Sequence, residues 1–183
     1  IPITIESLED CHDKSGKDML CLYYHYIPNG GIASGKTLVL GGSMNINSFS
    51  NNSFYGDLSS IIMKNLPFWV EYKRTPEMSI ALMDNWEEKI EKMARSTMVE
   101  DVTLVSGVPS WMLVLMKKIM DINGVDNIHK VWPNLELFIH GGVNFAPYRN
   151  QFEAITDVSK MHYQETYNAS EGFFGIQDDL REN

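Results

Sequence analysis

The stretch VTLVSGV (Val102 to Val108) followed by PSWMLVLMKKIMDINGV (Pro109 to Val125) decides the fold of this chain. The first part is rich in β-branched residues and reads as a buried strand. Pro109 then suits the first turn of a helix, where the amide it lacks would have no partner. Gly124 suits the left-handed position that closes a helix. A strand running directly into a helix is the repeating unit of a parallel sheet. The unit recurs downstream: ELFIHGG (Glu136 to Gly142) reads as strand, FAPYRNQFEAI (Phe145 to Ile155) as helix, and MHYQETYN (Met161 to Asn168) as strand.

Upstream, LVLGGS (Leu38 to Ser43) is a short apolar run closed by glycines, again a strand. Trp86, Ile90, Met93, Ala94 and Thr97 fall at helical spacing, with Glu and Lys on a face that reads as solvated. Ser7-Leu-Glu-Asp10 opens a helix that Pro28-Asn-Gly ends near Tyr26, and MNINSFSNNSF (Met44 to Phe54) reads as a loop. The expected class is α/β: a mostly parallel sheet flanked by helices, in a single domain over residues 1–183.

With 183 residues the chain can bury one sizeable core. It carries 24 acidic and 15 basic residues and no basic run, which argues against nucleic acid as a partner. The longest apolar stretch meets Lys117-Lys118 before it could cross a bilayer, so no membrane partner is expected. Cys11 and Cys21 lack metal-ligand spacing, and with His12 and His25 they match no usual zinc site. Two unpatterned thiols point to a reducing, cytoplasmic setting.

GGIASGKT (Gly30 to Thr37) matches every fixed position of the phosphate-binding G-x-x-x-x-G-K-[ST] pattern. Its context is wrong. Such a loop works between a buried strand and the N-terminus of a helix, whereas these glycines follow a turn and lead into a strand. A glycine-rich connection is the expected structure.

In open α/β sheets, ligands bind beyond the carboxyl ends of the strands. Three such ends carry chemistry: Gly107-Val-Pro-Ser-Trp111, His140-Gly-Gly-Val-Asn144 and Tyr167-Asn-Ala-Ser-Glu-Gly172. Paired glycines let backbone approach a flat ligand, Tyr167 offers a ring face, and Glu171 offers a hard oxygen suited to magnesium. The structural alternatives are a tight strand–helix turn, a core tyrosine and a solvated helix-start glutamate.

Taken in order, ELFIHGGVNFAPYRNQFEAI and HYQETYNASEGFFGIQDD resemble the adenylate-forming enzymes, which include acyl-CoA synthetases and luciferases. The wording VSGVPSWMLVLMKKI, VWPNLELFIHGG and ETYNASEGFFGIQDD is most similar to the bacterial branch of the auxin-responsive acyl acid amido synthetases. The resemblance implies that the chain is part of the large N-terminal domain of such an enzyme. The phosphate loop and the C-terminal domain would lie outside it, and as given it is expected to be inactive.

By the same resemblance, Tyr167 stacks on adenine, with Asn168 and Ala169 beside it. Ser170 lies against the adenylate phosphate, and Glu171 holds Mg2+ on ATP, which makes Ser170 and Glu171 the expected catalytic pair. Gly141 and Gly142 border the adenine and acyl pocket, while Val108, Pro109, Trp111 and Val143 line the acid side. Asn168 stands where glycine is common in the wider superfamily. The implied partners are a small carboxylic acid and an amino acid. A ligase that transfers to a thiol such as coenzyme A, a non-catalytic acyl- or nucleotide-binding module, and a P-loop phosphotransferase remain as other classes.

Overall fold

The computed structural model describes residues 3–42, 47–50 and 53–180. A π-helical segment, Ser7–Asp13, runs into α1 (Lys14–Tyr26), and β1 (Lys36–Leu40) follows the glycine turn. Next come β2 (Asn47–Ser50), β3 (Ser53–Tyr55), α2 (Leu58–Lys64), α3 (Phe68–Glu71), β4 (Arg74–Thr75) and α4 (Met78–Ala81). The second half alternates regularly: α5 (Trp86–Thr97), β5 (Val102–Gly107), α6 (Pro109–Asn123), β6 (Leu137–Gly141), α7 (Ala146–Glu153), β7 (His162–Ala169) and β8 (Gly172–Ile176).

Six strands form one sheet in the order β4-β1-β5-β6-β7-β8, parallel throughout except for the antiparallel β7–β8 pair. The fold is therefore α/β, a mostly parallel sheet flanked by helices. Alternation along β6 shows how the sheet is covered. Phe138 faces the larger core with Met112, Leu115, Met116 and Trp132, while Leu137 and Ile139 face Tyr23 of α1. Both faces are thus buried, which is why the strands read as continuous apolar runs.

In α6, Met112, Leu115, Met116, Ile119 and Met120 make one buried stripe, each adding about 1.5–3 kcal/mol of burial. Pro109 sits in the first turn, and Gly124 closes the helix at φ 63°. No helix among the described residues is long and apolar enough to cross a membrane.

Three expectations need correction. Within the stretch expected as a loop, Asn47–Ser50 and Ser53–Tyr55 pair as an antiparallel ribbon; Met44–Ile46 and Asn51–Asn52 lie outside the described residues. After Tyr167 the chain enters no helix. It folds back as β8 through a two-residue turn, Ser170–Glu171, because Ala169 pairs with Gly172. Finally, Lys89 does not lie on the solvated face of α5. It falls three residues after Trp86 and four before Met93, on the inward stripe, and is buried at 1% exposure.

Candidate functional site

The carboxyl ends of four parallel strands lie side by side. Leu40 is in register with Gly107, Gly107 with His140, and His140 with Glu165. All three loops singled out from the sequence leave this one edge. Gly142, at φ 82°, lies where an added Cβ would stand 3.6 Å from Val108 Cγ2, so the loops after β5 and β6 touch. Gly141 pairs with Thr166, which places the Tyr167 hairpin directly beyond the glycines.

The side chains divide by exposure. Tyr167 is 63% exposed, with its ring tilted against Phe174 at a centroid distance of 5.2 Å. The pairing slips between Tyr167 and Asn168, a bulge of the kind that re-aims side chains at binding edges. Ser170 and Glu171 sit exposed in the turn, Asn168 is exposed and Ala169 half-buried. Trp111 is 39% exposed on the first turn of α6, tilted against Trp86 at 5.2 Å. Val143 is exposed and Val108 half-buried. Pro109 is buried and serves to start α6. The edge thus presents open backbone, two aromatic platforms and one forward carboxylate.

Reasoning from sequence alone missed several residues at this edge. Trp86 and Phe174 extend the two aromatic platforms. Cys11 Sγ accepts the Phe173 N–H at 3.1 Å, anchoring the π-helical segment beneath the hairpin. Lys89 donates from Nζ to the carbonyls of Gly41 (2.8 Å) and Gly42 (3.0 Å) at the end of β1. For Lys89 a signal existed, the helical stripe; for Cys11 none did, because its partner lies more than 160 residues away.

His140 is buried at 2% exposure, stacked on Phe145 at 4.0 Å. Among the described residues neither ring nitrogen has a hydrogen-bond partner. Burial, reinforced by the Arg149 guanidinium, holds its pKa down to about 4. The folded state then binds fewer protons than the unfolded one between pH 4 and 6.5. The stability contributed by neutral His140 is complete above pH 6.5 and is lost as pH falls toward 4, up to roughly 3 kcal/mol. His140→Phe is expected to shrink the loss of melting temperature between pH 7 and pH 4.5. Half-buried His129 and His162 are shifted the same way and would preserve part of the slope. An unchanged slope in melts of the two proteins would remove His140 as its source.

The GGIASGKT stretch lies at the opposite end of the sheet, where Lys36 begins β1. The Gly31 N–H donates to Glu136 Oε2 at 2.6 Å, and the Lys36 ammonium donates to the Tyr72 carbonyl at 2.6 Å. Tyr23 donates to the other Glu136 oxygen, and burial with that carboxylate pushes the tyrosine pKa far up. A loop whose amide already holds a carboxylate repels phosphate rather than cradling it. Lys36→Ala is expected to leave nucleotide-dependent activity within about twofold of wild type, because it removes only an exposed surface bond; loss of that activity in a steady-state assay would revive the phosphate-loop reading.

No cluster of three or more His, Cys, Asp or Glu among the described residues could enclose a metal ion. Magnesium does not need one. It is commonly held by one or two carboxylates together with substrate phosphates and water, and an exposed Glu171 fits that use.

A family model described as the GH3 family N-terminal domain matches residues 1–161. The chain belongs to the GH3 family. This is the auxin-responsive acyl acid amido synthetase family, whose members are adenylating enzymes. A comparison with curated proteins returned no match. In this GH3 chain the matched span takes in Val108, Pro109, Trp111 and the Gly141–Val143 loop, whereas the hairpin from Tyr167 to Glu171 lies beyond it.

Proposed function

We propose that this chain forms the acyl-adenylate-binding part of an ATP-dependent acyl acid amido synthetase. The observation that carries the reading is the GH3 match, joined to a sheet edge where glycine loops, aromatic platforms and Glu171 converge. Tyr167 offers its exposed face to adenine, with Asn168 and Ala169 along the ring's border. Ser170, exposed in the turn, offers its hydroxyl as a donor to the adenylate phosphate. Gly141 and Gly142 bring main chain against the bound nucleotide, and Val108, Trp111 and Val143 form the apolar wall for the acid, with Pro109 as its buried support. Bound Mg2+ would neutralise charge on the phosphate oxygens, with Glu171 among its ligands.

The reaction joins a carboxylate oxygen to the α-phosphorus of ATP, and the bond to the departing pyrophosphate breaks. An amino acid amine then attacks the acyl carbonyl, the bond to AMP breaks, and the amine proton passes to solvent. Positioning of the two partners at the edge supplies most of the advantage. That the chain belongs to a bacterial branch rests on the wording of VSGVPSWMLVLMKKI and ETYNASEGFFGIQDD. The free thiols Cys11 and Cys21 support a reducing, cytoplasmic setting.

The test is pyrophosphate release by the full-length gene product with ATP, Mg2+ and a panel of acids from acetate and decanoate to benzoate and phenylacetate. Each acid is run with and without amino acids. Release that depends on one acid, and an amide of matching mass, is the expected result. ATP binding with no release for any acid would turn the reading to a non-catalytic binding module, and a thioester formed with coenzyme A would turn it to an acyl-CoA ligase.

A further inference from the structure

Lys89 is a fully buried cation at the carboxyl edge of the sheet. Burying an ammonium group costs several kcal/mol unless acceptors surround it, and an apolar side chain on the same stripe of α5 would be cheaper. Its acceptors are specific. Nζ donates to the carbonyls of Gly41 and Gly42 at 2.8 and 3.0 Å. The same segment is held from the other side by α2, where the Gly42 N–H donates to Ser59 Oγ at 2.9 Å and Ser59 Oγ donates to Asp57 at 2.5 Å. Burial pushes the Lys89 pKa below its ordinary value, and the charges of Asp57 and Asp84 oppose that effect.

The segment so fixed, at the end of β1, borders the candidate edge. Leu40, immediately before it, is in register with Gly107, and a Cβ added to Gly107 would stand 2.6 Å from the Leu40 carbonyl oxygen. Any shift of Gly41–Gly42 therefore reaches the Gly107–Val108 loop. One helical turn before Lys89, Trp86 packs on Trp111. The lysine thus ties the start of α5, the end of β1 and the loop after β5 into one unit.

We propose that Lys89 is a positioning residue of the acyl-adenylate site, holding the Gly41–Gly42 segment and the Trp86 end of α5 in one arrangement across the sheet's carboxyl edge. The proposal rests on the reading of that edge given above. Lys89 Nζ is spent on the Gly41 and Gly42 carbonyls, and the neighbouring loop and helix start carry Val108 and Trp111, so its effect falls on the acid side.

The experiment uses the full-length gene product, ATP, Mg2+ and the acid of the panel that gives the fastest ATP–pyrophosphate exchange. Lys89→Met is compared with Trp132→Phe, which removes the buried Trp132 Nε1–H bond to the Thr97 carbonyl and serves as a control for loss of a buried hydrogen bond at the other end of α5. Lys89→Met is expected to raise the KM for the acid about 10-fold or more, with the KM for ATP within about twofold, while Trp132→Phe moves neither. An unchanged acid KM in Lys89→Met, or equal changes in both variants, overturns the proposal. If Lys89→Met fails to fold, Lys89→Arg carries the test, because it keeps the charge and relocates the donors. A threefold or greater rise in acid KM supports the proposal and an unchanged value overturns it. A wild-type protein that exchanges no pyrophosphate with any acid overturns the reading of the edge and this proposal together; an active wild type with unmoved variants overturns the proposal alone.

Discussion

Glu171→Ala in the full-length gene product is expected to lower acid-dependent pyrophosphate release by about 10²- to 10³-fold, the scale on which removal of one charge-stabilising group acts. The melting temperature should stay within about 2 °C of wild type, because surface substitutions away from structural features cost little. The structural ground is the position of the residue. Glu171 is exposed in the two-residue turn between β7 and β8 and makes no hydrogen bond or ion pair with the described residues. A carboxylate with no structural task, carried forward on a tight hairpin, is free to ligate Mg2+ on a bound nucleotide. Glu171→Asp, which keeps the carboxylate but shortens its reach, should recover part of the loss. Full activity in the alanine variant, measured in the same release assay, would remove Glu171 from the metal site.

Gly141→Ala is expected to cost about 3 kcal/mol of stability, in the upper range for forcing extra volume into a packed interior. For a domain of this size that is a fall of roughly 6–12 °C in melting temperature. Gly141 ends β6 in register with Thr166, and a Cβ there collides with the Thr166 carbonyl oxygen, a main-chain atom of the neighbouring strand. Thr166 Oγ1 also donates to the His140 carbonyl at 3.3 Å, so the collision strikes a cross-link between β6 and β7. The next residue makes an instructive comparison. Gly142 has φ 82°, yet a Cβ there meets only Val108 at 3.6 Å. Gly142→Ala therefore carries conformational strain alone, about 1–2 kcal/mol. Melts of the two variants should rank Gly141→Ala as the more damaging. The reverse order would show that the strand end yields and that left-handed backbone sets the cost.

Much of the candidate edge was legible because its signals are local. The glycine pair after β6 and the Pro109 start of α6 both follow from rules spanning a few residues, and they sit where a parallel sheet presents its strand ends. Rejection of GGIASGKT was local too, since the strand after it was visible in the sequence. The hairpin of β7 and β8 was less legible. A turn of Ser170–Glu171 resembles the entry to a helix until the partner strand is seen, and the pairing of Ala169 with Gly172 is what settles it.

By itself, the sequence determined the strand–helix alternation of the second half, the parallel sheet and the choice of its carboxyl edge as the candidate site. Periodicity, helix-start proline and helix-end glycine act within one or two turns of chain, so no distant residue can overrule them cheaply. The tertiary structure alone decided which polar groups left the solvent and what met them there. Lys89 reaches Gly41 across 48 positions, Tyr23 reaches Glu136 across 113 and Cys11 reaches Phe173 across 162. His140 ends buried with both nitrogens unpartnered among the described residues. Such outcomes depend on a balance of desolvation and pairing that is struck only when remote segments pack, and no short-range pattern encodes it.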